Sequence, residues 1–139
     1  MELNDNHRAS LIKEIRLVVK KMAENSDARK MLYYFSGVFT LINRIFNDKF
    51  DPELVVAHLI LQSVHNQFLN RLQTIRQQGD TAIELSDEQF QKLISLTDTL
   101  GKKIQKKQAI HETLNKFAIL GYSTTGNGYF LMQKGILKI

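Results

Sequence analysis

The sequence predicts an all-α protein, a compact bundle of about five helices with a small C-terminal β-hairpin. Three observations lead there. Apolar residues recur at helical spacing through most of the chain. The run from Met31 to Phe46, MLYYFSGVFTLINRIF, is so apolar and aromatic that, as a helix, it can turn only a narrow edge to water and must be buried. After Gly121 the period changes to that of strands, around Gly126-Asn127-Gly128.

The 139 residues form one domain, 1–139, long enough to bury a core without staples. A hydrophobic fraction of 43% with 24% charged residues is that of a soluble globular chain. The Met31–Phe46 run is too short to span a bilayer, and Asn43 and Arg44 interrupt it. No membrane span is expected. Cysteine is absent, which rules out disulfides, thiolate metal sites and a cysteine nucleophile, and is compatible with the cytoplasm. The N-terminus has early acids and no apolar core segment, so it reads as mature protein and not as a secretory signal.

Each element has local reasons. Leu11, Ile12, Ile15, Val18, Val19 and Met22 make one stripe of a first helix, which Asn4, Asp5 or Asn6 can cap. Ser26 or Asp27 caps the second, buried helix. Asp51-Pro52-Glu53 starts the third: Asp51 accepts from free amides, Pro52 presets φ, and Glu53 complements the positive end of the dipole. That helix runs to about Gln78, with Leu54, His58, Leu61, Val64, Phe68, Leu72 and Ile75 inward and Gly79 ending it. Ser86 and Gln89 form a capping box, and Leu85 and Phe90 the hydrophobic staple across it. The helix that follows faces Phe90, Leu93, Ile94, Thr97 and Leu100 inward, and Gly101 ends or kinks it. Ile110, Leu114, Phe117 and Ala118 lie out of phase with that set, which favours two helices over one within 87–120. The second of them ends at Gly121. Tyr122–Thr125 and Tyr129–Met132 are the strands of the hairpin, and with the tail they occupy 122–139.

No constellation for catalysis stands out. His111-Glu112 opens a zinc-protease motif, but Asn115 occupies the place of its second histidine. His58 and His65 stand two turns apart, roughly 10 Å along the axis, too far to share a metal directly. His58 reads as a core or boundary residue and His65 as a polar-face one. Gly126-Asn127-Gly128 lacks the flanking helix and the Lys-Ser/Thr pair of a phosphate loop. No metal, cofactor or enzymatic activity is predicted.

Two surface features remain. Lys102, Lys103, Lys106 and Lys107 fall on one side of a continuous helix as a strip of positive charge, and a net charge of +5 with a pI near 9.5 favours polyanions. Arg16, Lys20 and Lys13 make a weaker strip that Glu14 dilutes. Tyr129, Leu131, Ile136, Leu137 and Ile139 are apolar groups on a hairpin and tail too small to cover themselves, and are candidate oligomer contacts.

The stretch from Ser86 to Gly135, with KKQAIHETLNKF and then AILGYSTTGNGYFLMQKG, resembles winged-helix proteins in its order of helix, helix, strand, turn, strand. That resemblance implies Lys106, Lys107, Gln108, His111 and Lys116 facing DNA. The wing turn carries no charge, unlike the usual pattern. The sequence therefore favours a non-catalytic interaction or regulatory module whose partner is itself, as a homo-oligomer, or another protein. The alternative is nucleic-acid binding through the lysines.

Overall fold

The computed structural model describes residues 3–78 and 87–124, with the backbone alone at 74–78 and 87. These residues form five helices and, among them, no strand: α1 (Asp5–Ala23), α2 (Ala28–Asp48), α3 (Pro52–Gln78), α4 (Asp87–Gln105) and α5 (His111–Ser123). None of these helices is long and apolar enough to cross a membrane.

The predicted starts are made by side chains. Asn4 Oδ1 accepts from the His7 amide at 2.7 Å, and Asp27 Oδ1 from the Arg29 amide at 2.9 Å. Asp51 is buried, and its Oδ1 accepts from the amides of Glu53 at 2.8 Å and Leu54 at 3.3 Å. Ser86, Leu85 and Gly79 lie outside the described residues.

Packing follows the apolar stripes. Leu11, Ile15, Val18 and Met22 of α1 are buried, with Ile12 and Val19 half-buried beside them. Between Met31 and Asn47 of α2, the exposed positions are Tyr33, Thr40, Arg44 and Asn47, a single thin line along the helix. Its other faces hold Phe35, Val38, Phe39 and Ile42 in the core. On α4 every predicted inward residue is buried, and Ile104 joins them.

The helices close into a ring. Neighbours around it run α1, α2, α3, α5, α4 and back to α1, so α3 stands across from the α1–α4 edge. Aromatic rings brace the interior: Phe35 meets Phe117 at 6.2 Å, and Phe68 meets Phe90 at 5.2 Å between centroids. Closing the ring between α1 and α4 requires Gly101. A Cβ at that position would stand 2.7 Å from Ile15 Cγ2, and a β-branched side chain on a helix has little rotamer freedom to withdraw.

Three sequence expectations change here. Gly101 does not end α4 but lies within it, against Ile15 of α1. Gly121 does not end α5, which continues to Ser123; its missing side chain leaves room for Gln67 and Val64 of α3. Tyr122 and Ser123 are therefore helical and not the start of a strand. The Ser123 and Thr124 hydroxyls donate to the carbonyls of Leu120 and Gly121 at 2.6 and 2.7 Å, which supports the last turn. The remainder of the predicted hairpin and the tail lies outside the described residues.

Phe35→Ala should cost about 3–5 kcal/mol in denaturant melts, because it removes a ring from the centre of the bundle. Gly101→Ala should destabilise by about 1–2 kcal/mol, despite a helix-propensity gain of about 1 kcal/mol. In an Ile15→Ala background the same glycine replacement should stabilise, and a loss that persists there would mean that Ile15 is not the obstacle.

Candidate functional site

The lysines predicted to form a helical strip are reached by α4 only in part. Lys102 and Lys103 sit in its last turn, Lys102 exposed and Lys103 half-buried. The helix then stops at Gln105, and Lys106 and Lys107 lie in the turn beyond it. A Schellman arrangement makes the stop: the Gln108 amide donates to the Lys103 carbonyl at 2.9 Å and the Lys107 amide to that of Ile104 at 3.1 Å. Lys107 supplies the left-handed residue at φ 56°, where glycine is usual. The four lysines are therefore a cluster around a helix end, and the continuous two-turn strip is not formed. Lys116 is separate from them. It is exposed on α5 and pairs with Glu112 at 3.6 Å.

Tertiary structure adds two cations. Arg8 Nη1 donates to the Ile104 carbonyl at 2.6 Å, across 96 residues of sequence. Arg16 Nη2 donates to Gln105 Oε1 at 2.9 Å. The two arginines are eight positions apart on α1, about 12 Å along its axis, and they hold the end of α4 between them. Arg8 is half-buried, and its Nε is buried without a hydrogen bond among the described residues. Arg16 is legible in the sequence as part of a weak strip. Arg8 carries no local signal, since its role exists only once α1 and α4 touch.

Part of this cluster has a structural explanation. A helix C-terminus carries roughly half a negative charge and favours cations nearby, and the Asp98 carboxylate binds Lys102 at 2.9 Å. Against those two negative groups, the end of α4 gathers six cations: Arg8, Arg16, Lys102, Lys103, Lys106 and Lys107. Positive charge is left in excess.

A different surface lies across the ring. From Leu54 to Asn70, α3 contains no Asp, Glu, Lys or Arg. Val56 and Leu59 of α3 and Tyr122 of α5 are each about half-exposed, at 48%, 58% and 52%. A groove of about 160 Å³ runs between the two helices, lined by Leu59, Ile60, Ser63, Gln67, Ala118 and Tyr122. It is smaller than the roughly 300–1,000 Å³ of small-molecule sites. It can accept a side chain.

The histidines are structural in their contacts. His58 and His65 lie edge-on to the Phe39 ring at 6.0 and 5.5 Å, and His58 Nδ1 stands 3.0 Å from the Phe39 carbonyl. His65, expected on the polar face, is thus half-buried against α2. Among the described residues no three His, Asp or Glu side chains are grouped to hold a metal ion. His111 Nε2 is 3.4 Å from Asn115 Nδ2, the residue that interrupts the zinc motif. The predicted oligomer contacts Tyr129, Leu131, Ile136, Leu137 and Ile139 lie outside the described residues.

No protein-family model, curated protein or solved structure matches the chain.

Lys107→Gly should raise stability by about 1 kcal/mol by relieving the left-handed lysine. A thermal midpoint raised by about 3–4 °C is the expected readout, and a lowered midpoint would show that the lysine side chain stabilises the turn.

Proposed function

We propose that the chain is a non-catalytic interaction module that associates with a second copy of itself through the α3–α5 face. The observation that supports this most directly is the half-exposed set Val56, Leu59 and Tyr122 around a side-chain-sized groove, on a helix with no charge from Leu54 to Asn70. Burying such a face removes apolar surface from water and strands no ion.

The polar groups on this face suit a two-fold partner. Ser63, Gln67, Gln62 and Asn66 are neutral and carry both donors and acceptors, so each can bond to its counterpart or to a neighbour of it in the other copy. Leu59 of one copy can enter the groove of the other while its own groove receives Leu59 in return. A charged partner would find no opposite charge on α3 from Leu54 to Asn70, whereas an identical neutral face matches it. The apolar tail residues Ile136, Leu137 and Ile139, candidate oligomer contacts on sequence grounds, are the competing surface for self-association.

Sedimentation of the full chain at high micromolar concentration should give a dimer, and Leu59→Asp should give a monomer. Because Leu59 is already more than half exposed, that change should shift monomer stability by no more than about 0.5 kcal/mol. A wild-type monomer would overturn the proposal. So would a dimer that survives Leu59→Asp and is lost only when residues from Gly135 onward are removed, since the tail and not the α3–α5 face would then hold it.

A further inference from the structure

We propose that the cationic corner formed by α1 and the end of α4 binds the sugar-phosphate backbone of nucleic acid, without reading its sequence. The proposal is independent of self-association. It rests on residues from two distant segments brought to one place: Arg8 and Arg16 on either side of the α4 terminus, and Lys102, Lys103, Lys106 and Lys107 on it and just past it.

The charge excess is what a structural role leaves unexplained. One helix end is complemented by one or two cations in its last turn, and this one has six around it with Asp98 as the carboxylate that pairs with them among the described residues. Lys106 and Lys107 are exposed and make no ion pair among the described residues. Lys107 also holds a left-handed conformation in which glycine would be unstrained. Lys13, exposed on α1 between the two arginines in sequence, extends the positive surface.

The chemistry of the corner selects the ligand class. Guanidinium and ammonium groups bind phosphate oxygens, and the approximately 12 Å between the α1 arginines covers several charges of a duplex, which carries one per about 1.7 Å of its axis. Base recognition needs more than this. The exposed aromatic side chains among the described residues are Tyr33, Phe50 and Tyr122, and none is on α1 or α4. Without a stacking platform, single strands gain no advantage, and the higher charge density of a duplex makes it the better ligand.

The test uses the full chain and fluorescent duplexes of unrelated sequence, titrated between about 50 and 200 mM salt. Log affinity should fall linearly with log salt, with a slope of about −3 to −4, and equally for all sequences. Replacing Lys102, Lys103, Lys106 and Lys107 with Gln should flatten the slope by about one for each phosphate that is no longer neutralised. A control with Arg29, Lys30, Arg44 and Lys49, on or just after α2, changed to Gln has the same net charge and should keep most of the slope. Equal losses in the two variants would overturn the assignment, because net charge and not the corner would then drive binding. Two other results would do the same: no measurable binding at the lowest salt, or binding to vesicles containing anionic lipid with none to duplexes.

Discussion

The bundle closes where α1 meets α4, at Gly101 and Ile15, and both the core and the cationic surface follow from that crossing. The two helices are first and fourth in sequence, so nothing local holds them together, and a five-helix ring stays open until they meet. Gly101 lets the backbones approach by omitting the one atom that Ile15 Cγ2 would exclude. Once the approach is made, Arg8 can reach the Ile104 carbonyl and Arg16 the Gln105 side chain. Completing the core thus gathers the cations.

Ring order separates the two surfaces. The α1–α4 edge stands opposite α3, so the cationic corner and the uncharged stretch of α3 from Leu54 to Asn70 lie on different sides of the bundle. A two-fold dimer through α3 and α5 would leave both cationic corners pointing outward. Each surface also has a cost. Clustered lysines repel one another, and half-exposed Val56, Leu59 and Tyr122 present apolar area to water.

Glycine illustrates how one residue type takes different meanings. In sequence, Gly101 and Gly121 resemble helix terminators, since glycine is common just past helix ends. Both instead lie inside helices, at crossings onto α1 and α3. The actual terminator between α4 and α5 is Lys107, a residue type with no preference for the left-handed region. Tertiary closeness decides the first two cases. In the third, the Schellman bonds and the burial of Ile104 and Ile110 on either side of the turn hold a lysine in an unfavourable conformation.

Features that depend on neighbours a few residues away are legible in the sequence. Periodicity places the apolar faces of α1, α2 and α4, and the change of phase after Leu100 separates α4 from α5. Cap chemistry narrows the starts to Asn4, Asp5 or Asn6, to Ser26 or Asp27, and to Asp51, and the structure uses Asn4, Asp27 and Asp51, whose side-chain oxygens accept from amides two or three residues on. The order of helices around the ring has no such local origin, nor do the use of Gly101 and Gly121 as contact points and the helical state of Tyr122 and Ser123. The change from an expected lysine strip to a corner completed by Arg8 and Arg16 belongs with them. Those outcomes come from contacts such as the one from Arg8 to Ile104, spanning 96 residues, for which no local pattern exists.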